Sequence, residues 1–107
     1  MADTLKVLGQ SNPAAITLTD LYTAAAAAAC SSIVICNTNN TNATFRISVA
    51  VANAADTLKQ YLYYDLPISG NNTFIATVGI SMAATDKIRV YASNAYLTFN
   101  AFGIEVS

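Results

Sequence analysis

The chain has 107 residues, 54% of them hydrophobic, with only 10% charged and a formal net charge of −1. That is enough chain for one domain with one core, and too much apolar content for a disordered segment. The five Lys and Arg residues are scattered from Lys6 to Arg89 with no basic run, so the cationic stripe that neutralises nucleic-acid phosphates is missing. No stretch reaches the roughly 18 apolar residues of a membrane span.

The N-terminus, Met-Ala-Asp-Thr-Leu-Lys, has no basic region followed by an apolar one, so it does not read as a secretory signal. Residues 1–12 are expected to form an N-terminal segment or arm holding a short first strand at Leu5–Leu8, and residues 13–107 the folded domain. Ile16 to Thr19 leads into Leu21 and Tyr22 as a second strand. The six alanines Ala24 to Ala29 have high helix propensity, but six residues are too few for a stable helix. They precede a β-branched run, so strand or loop is expected.

Ser32 to Cys36 is a continuous run, as a central strand buried on both faces would be. Cys30 and Cys36 stand 36 − 30 = 6 residues apart on that strand. At about 3.3 Å per residue their Cα atoms lie roughly 20 Å apart, beyond the reach of a disulfide. Both are expected to be free thiols, in keeping with assembly in a reducing cytoplasm.

Thr44 to Val51 alternates cleanly, with Phe45, Ile47, Val49 and Val51 facing in and Thr44, Arg46 and Ser48 facing out. A helical turn fits residues 53–59. Gln60 to Ile68 places Leu62, Tyr64, Leu66 and Ile68 on one face and Tyr61, Tyr63 and Asp65 on the other; Pro67 confines this strand to an edge or to its own end. Phe74, Ala76, Val78 and Ile80 share a face opposite Gly79, and Ile88, Val90 and Ala92 point inward between Lys87, Arg89 and Tyr91. The last strand carries Leu97 and Phe99, then Phe102, Ile104 and Val106, a change of parity that suggests a β-bulge near Asn100-Ala101. The Asn/Thr loop Asn37–Asn42, Ser69–Asn72, Ala83–Asp86 and Ser93–Ala95 supply turn chemistry. Seven or eight short strands with such separators predict an all-β, single-domain antiparallel β-sandwich, jelly-roll-like in kind.

Catalytic chemistry has little to build on. There is no histidine to act as general base, and a Ser or Cys nucleophile lacks its usual activating partner. The four glycines form no phosphate loop, and the acidic residues are not spaced as calcium ligands. The reading is therefore no enzyme, no cofactor and no metal. The Asn-X-Thr triplets at Asn39, Asn42 and Asn71 read as turn chemistry. With so few charges, the surface is built from Asn, Thr, Ser, Ala and Tyr, which repels other proteins weakly and suits a domain that lives packed against neighbours. The candidate interface residues are Leu5, Val7 and Leu8 in the N-terminal segment, with Tyr61, Tyr63, Arg46 and Arg89 on outer strand faces. Tyrosine there offers a large, rigid and amphipathic contact.

Several stretches together resemble a known family. They are Leu5-Lys6-Val7-Leu8-Gly9-Gln10, Leu18-Thr19-Asp20-Leu21-Tyr22-Thr23, Ser32-Ile33-Val34-Ile35-Cys36-Asn37, Thr44-Phe45-Arg46-Ile47, Tyr63-Tyr64-Asp65-Leu66-Pro67-Ile68, Ala83-Ala84-Thr85-Asp86 with Val90-Tyr91-Ala92-Ser93, and Phe99-Asn100-Ala101-Phe102-Gly103. The chain resembles, over nearly its whole length, small β-sandwich structural proteins of tailed bacteriophages, including cyanophages and other aquatic phages. The alanine tract departs from that pattern. The resemblance implies a virion component: a capsid decoration (cement) protein on the capsid exterior, assembled in the host cytoplasm. Its partners would be the major capsid protein and its own copies, expected as a homotrimer. A tail, fibre or neck module, with Tyr61 and Tyr63 touching a host-surface glycan, is the alternative. Neither nucleic acid nor membrane is expected as a partner.

Overall fold

A computed structural model describes residues 3–106; Met1, Ala2 and Ser107, at the ends of the two expected segments, lie outside the described residues. The eight strands are β1 (Asp3–Ser11), β2 (Thr19–Thr23), β3 (Ala28–Asn37), β4 (Ala43–Ala50), β5 (Tyr61–Ile68), β6 (Thr73–Met82), β7 (Lys87–Ala92) and β8 (Leu97–Val106). They form two four-stranded sheets of order β1-β8-β3-β6 and β2-β7-β4-β5, with antiparallel neighbours throughout. The chain changes sheet at every connection except β4 to β5. This is the eight-stranded double Greek key of a jelly-roll sandwich.

The core lies between the sheets. Phe45, Ile47, Ile88, Val90 and Ala92 of one sheet and Ile33, Ile35, Leu97, Phe99 and Ala101 of the other are fully buried, as period-two alternation demands of a sheet with one face covered. Phe45 sits 6.2 Å from Phe99, 5.6 Å from Phe74 and 6.1 Å from Tyr63 between ring centroids, so aromatic contacts join the two layers.

Several details differ from the sequence reading. The first strand runs over Asp3–Ser11, longer than the expected Leu5–Leu8, and is paired with β8 as part of the sheet. Ile16 has a left-handed backbone and is exposed, and the second strand begins only at Thr19. β3 alternates between buried positions and half-buried or exposed ones, so its outer face is not covered by a second layer. Val51 has left the strand and is exposed in a 3-10 turn (Val51–Asn53). The alanine tract is an irregular bend whose last two residues open β3, and Cys30 and Cys36 are free on that strand. Pro67 lies on the edge strand β5.

One buried polar side chain ties the loops at one end together. Asn37 is 1% exposed. Its Nδ2 donates to the carbonyls of Thr41 (2.8 Å), Ser69 (3.3 Å) and Ile68 (3.4 Å), and its Oδ1 accepts from the Asn39 N–H (3.1 Å). The Asn/Thr loop is thereby held to the β5–β6 turn. Gly70 belongs to the same contact: a Cβ there would stand 2.3 Å from the Asn40 backbone, so only glycine fits. Replacing Asn37 by Ala strands buried polar groups, each worth on the order of 1–3 kcal/mol. Asn37→Ala is expected to lower the unfolding free energy by about 2–3 kcal/mol, measured by urea denaturation at unchanged m-value.

Candidate functional site

Two outward faces differ in chemistry. The first belongs to the β1-β8-β3-β6 sheet. Cross-strand pairing sets Leu5, Ile104, Ala29 and Ser81 in one row, and Val7, Phe102, Ser32 and Thr77 in the next. Leu5 is 80% exposed, Val7 45% and Phe102 37%. Bulky side chains on β1 and β8 form a ridge beside a lower floor of Ala29, Ser31 and Gly79, and these residues line one shallow trough. No charged side chain stands in these two rows. Exposed apolar surface of this extent on a sheet face is characteristic of an interaction surface.

Of the three N-terminal candidates, Leu5 and Val7 project from this face. Leu8 does not. It alternates with Leu5 and Val7 and so points into the core, 8% exposed; the register with β8 shifts beside it, between Val7 and Gly9. The parity change expected within β8 is also absent. Ala101 stays buried between Leu97 and Phe99 on one side and outward Phe102 on the other. The extra residues sit instead in the neighbours, at Leu8 of β1 and near Ser31 of β3. Phe102 and Ile104 are thus surface residues, a placement visible only once the partner strands are aligned.

The second face belongs to the β2-β7-β4-β5 sheet. Arg46 lies between two rings, its guanidinium carbon 4.1 Å from the Tyr64 centroid and 4.3 Å from that of Tyr91. It also donates to both carboxylate oxygens of Asp65, at 2.7 and 3.2 Å. Tyr61 meets Tyr64 edge-on at 5.1 Å and donates to Asp56 at 2.9 Å. Burial and that hydrogen bond push the Tyr61 hydroxyl above its ordinary pKa.

Tyr63, expected beside Tyr61, is turned inward against Phe45 and Phe74. β5 carries two more residues than β4 can match, one between the Phe45 and Ile47 pairs and one between the Ile47 and Ser48 pairs, and Asp65 takes a left-handed backbone there. Each insertion reverses the parity. Leu62 and Tyr64, expected inside, are therefore exposed, and Tyr64 with Tyr91 completes the cluster that sequence spacing missed. Arg89 is committed elsewhere: it donates to the Ala54 carbonyl (2.9 Å) and Asn53 (3.1 Å) and lies 3.5 Å from Asp20. It pins the β4–β5 loop and is not available as a contact residue.

Between the sheets at the β1 end, Tyr22 donates to Glu105 at 2.5 Å and Lys6 pairs with the same carboxylate at 3.2 Å. Burial raises the Tyr22 pKa first, and the bond to Glu105 adds to it. The Tyr22 hydroxyl, followed by Lys6, holds Glu105 below its ordinary value. Asp86 is lowered by the Ala52 and Ala83 N–H donors. Burial raises the Cys30 thiol, which makes it unreactive. Among the described residues no group of three or more His, Cys, Asp or Glu is placed to hold a metal ion.

No protein-family model matches the sequence, and no curated protein is significantly similar to it.

The Arg46 cluster has a measurable weight. Each exposed cation–π contact contributes about 0.5–1 kcal/mol and an exposed ion pair about 0–1 kcal/mol, so Arg46→Ala, which removes two ring contacts and one pair, is expected to cost about 1–3 kcal/mol of stability. Arg46→Lys recovers less than half of it, because an ammonium neither stacks between two rings nor bonds bidentately; thermal unfolding of both variants checks this. The depressed Glu105 and Asp86 carboxyls stabilise the fold fully above their unfolded values of 4.5 and 3.8, and this contribution disappears as the pH falls through the lower folded values. Denaturation midpoints should hold from neutral pH to about 5 and then decline. Glu105→Gln with Asp86→Asn should start lower, decline less and meet the wild type in acid.

Proposed function

We propose that this protein is a virion structural component of a tailed bacteriophage, and within that class a decoration protein seated on the capsid exterior. The observation that carries the reading is the uncharged apolar ridge of Leu5, Val7, Phe102 and Ile104 on the outer face of the β1-β8-β3-β6 sheet. A single domain gains nothing by exposing such a face to water. Set against shell subunits, each of these side chains contributes up to about 1.5–3 kcal/mol, most for Leu5, which is 80% exposed, and many copies together brace the shell against the pressure of packaged DNA. The resemblance of the sequence to phage β-sandwich proteins supports the same reading. The partners are then the major capsid protein and further copies of this chain, and the place of assembly is the host cytoplasm.

A second reading, a tail, fibre or neck module that binds a host-surface glycan, is favoured by the Tyr61–Tyr64 corner and its flanking Asp56 and Asp65. Tyrosine faces with nearby acceptors suit a sugar ring.

The two readings separate on virions and on isolated shells. As a decoration protein, the chain is present in proportion to capsid subunits, and Phe102→Asp weakens binding to undecorated shells by about tenfold or more, since a charge replaces a buried ring. A copy number matching a tail or neck ring overturns the capsid reading. Glycan binding that is lost in Tyr61→Ala and Tyr64→Ala, but kept in Phe102→Asp, establishes the second.

A further inference from the structure

The ridge ends at a free edge. Among the described residues β1 is hydrogen-bonded only to β8, so its other side presents unpaired N–H and C=O groups, which other proteins cover, charge or bend away. Three of the four edges here are interrupted in that way or carry no apolar ridge. β2 has five residues and a register shift at its centre. β5 has two inserted residues and Pro67. β6 meets a register shift in β3 opposite Thr77–Ile80, and its outward Ile75 stands between Thr73 and Thr77. In β1 the bulge falls late, at Leu8, leaving Asp3–Val7 in regular pairing with β8. That stretch contains no proline, and its Leu5 is the most exposed large apolar side chain among the described residues.

We propose that β1 pairs antiparallel with β1 of a second copy of this chain, about a two-fold axis through Leu5, joining two four-stranded sheets into one of eight strands. The register follows from symmetry and charge. A two-fold normal to the sheet keeps outer faces together, so opposed residues must share a face and their numbers must add to an even sum. A sum of 12 sets Lys6 against Lys6, and like charges directly opposite are destabilising. A sum of 14 requires Leu8, which is committed to the core, to lie opposite Lys6. A sum of 8 sets only Asp3, Thr4 and Leu5 against one another and leaves Lys6 and Val7 outside that match. A sum of 10 sets Leu5 against Leu5, Lys6 against Thr4 of the partner subunit, and Asp3 against the uncharged Val7 of the partner subunit, so no like charges are opposed. Thr4 is itself paired with Glu105 in its own sheet, and Glu105 already accepts from Lys6 of its own chain. The pairing thus brings each Lys6 toward a second carboxylate. Both apolar ridges end on the same side, contiguous and still open to a shell.

The pairing needs no shell and is tested on the isolated protein in a Cys36→Ser background, since Cys30 is buried. Sedimentation equilibrium is expected to give a monomer–dimer system. Leu5→Lys weakens dimerisation by about tenfold or more, as two like charges then face each other, and Phe102→Asp leaves it unchanged. Under mild oxidation Leu5→Cys gives a covalent dimer, while Lys6→Cys and Val7→Cys do not. A monomer at all concentrations, a pure three-fold assembly, self-crosslinking of Lys6→Cys or Val7→Cys in preference to Leu5→Cys, or crosslinking through Ile75→Cys on β6 overturns the proposal. Dimerisation without shell binding would overturn only the capsid reading, and shell binding by a monomer only the pairing.

Discussion

The interdigitation of Phe45 with Phe99, Phe74 and Tyr63 sets the spacing and register of the two sheets, and the rest of the molecule adjusts to it. Both inner faces are filled by side chains with no exposure on either side of these rings. A packed interior of this density does not tolerate a slipped strand, because a shift of one residue sends every inward side chain to water. Where a strand is longer than its neighbour, the surplus must leave the pleat locally. It does so at Leu8, Ser31, Leu62 and Asp65, and near Gly79. These positions decide which residues the outer faces display.

The two outer faces consequently have opposite characters. On β1 and β8 the pattern leaves Leu5, Val7, Phe102 and Ile104 outward, with Asp3 at the start of β1 as the one charge on that face of the two strands among the described residues. On β4, β5 and β7 it brings an arginine, its carboxylate partner and three tyrosines into one mutually satisfied cluster. The charge of Arg46 is neutralised by Asp65 and its flat faces are taken by Tyr64 and Tyr91. That arrangement rigidifies the surface and leaves only the exposed sides of Tyr61 and Tyr64 for a ligand. The apolar ridge, by contrast, has nothing above it among the described residues. Of the two faces it is the one with unspent burial, which is why the assembly reading ranks first.

Most of the fold was legible in the sequence because β4, β6 and β7 keep strict alternation from end to end of their inward residues: Phe45, Ile47 and Val49; Phe74, Ala76, Val78 and Ile80; Ile88, Val90 and Ala92. The turns were legible from their Asn, Gly and Asp content. The candidate faces were only half legible. A bulge is a property of two strands, since it consists in one having a residue that the other lacks, and a single sequence does not say which strands are neighbours. Tyr63 is therefore core where spacing puts it outside, and Tyr64 and Phe102 are surface where spacing puts them inside; Leu8 needs no bulge, since alternation with outward Leu5 and Val7 already turns it inward. Arg89 is a third kind of miss: its position was right, but the loop acceptors it serves, Asn53 and the Ala54 carbonyl, are more than thirty residues away in the chain.

The scarcity of charge acquires a structural meaning at the strand edges. An edge is ordinarily protected by lysines, prolines or bends, and this chain has five basic residues for the whole molecule. Three are already engaged at the second sheet, Arg46 with Asp65 and Lys87 and Arg89 with Asp20. Lys6 is the sole basic residue on β1, and its ammonium is drawn toward Glu105 at the inner side of the sheet and away from the outer ridge. A protein that had to remain monomeric in a crowded cytoplasm would be poorly served by that distribution. One whose working state is a lattice of like subunits benefits from it, because weak mutual repulsion, an open edge and a largely apolar face lower the cost of each contact in the assembly.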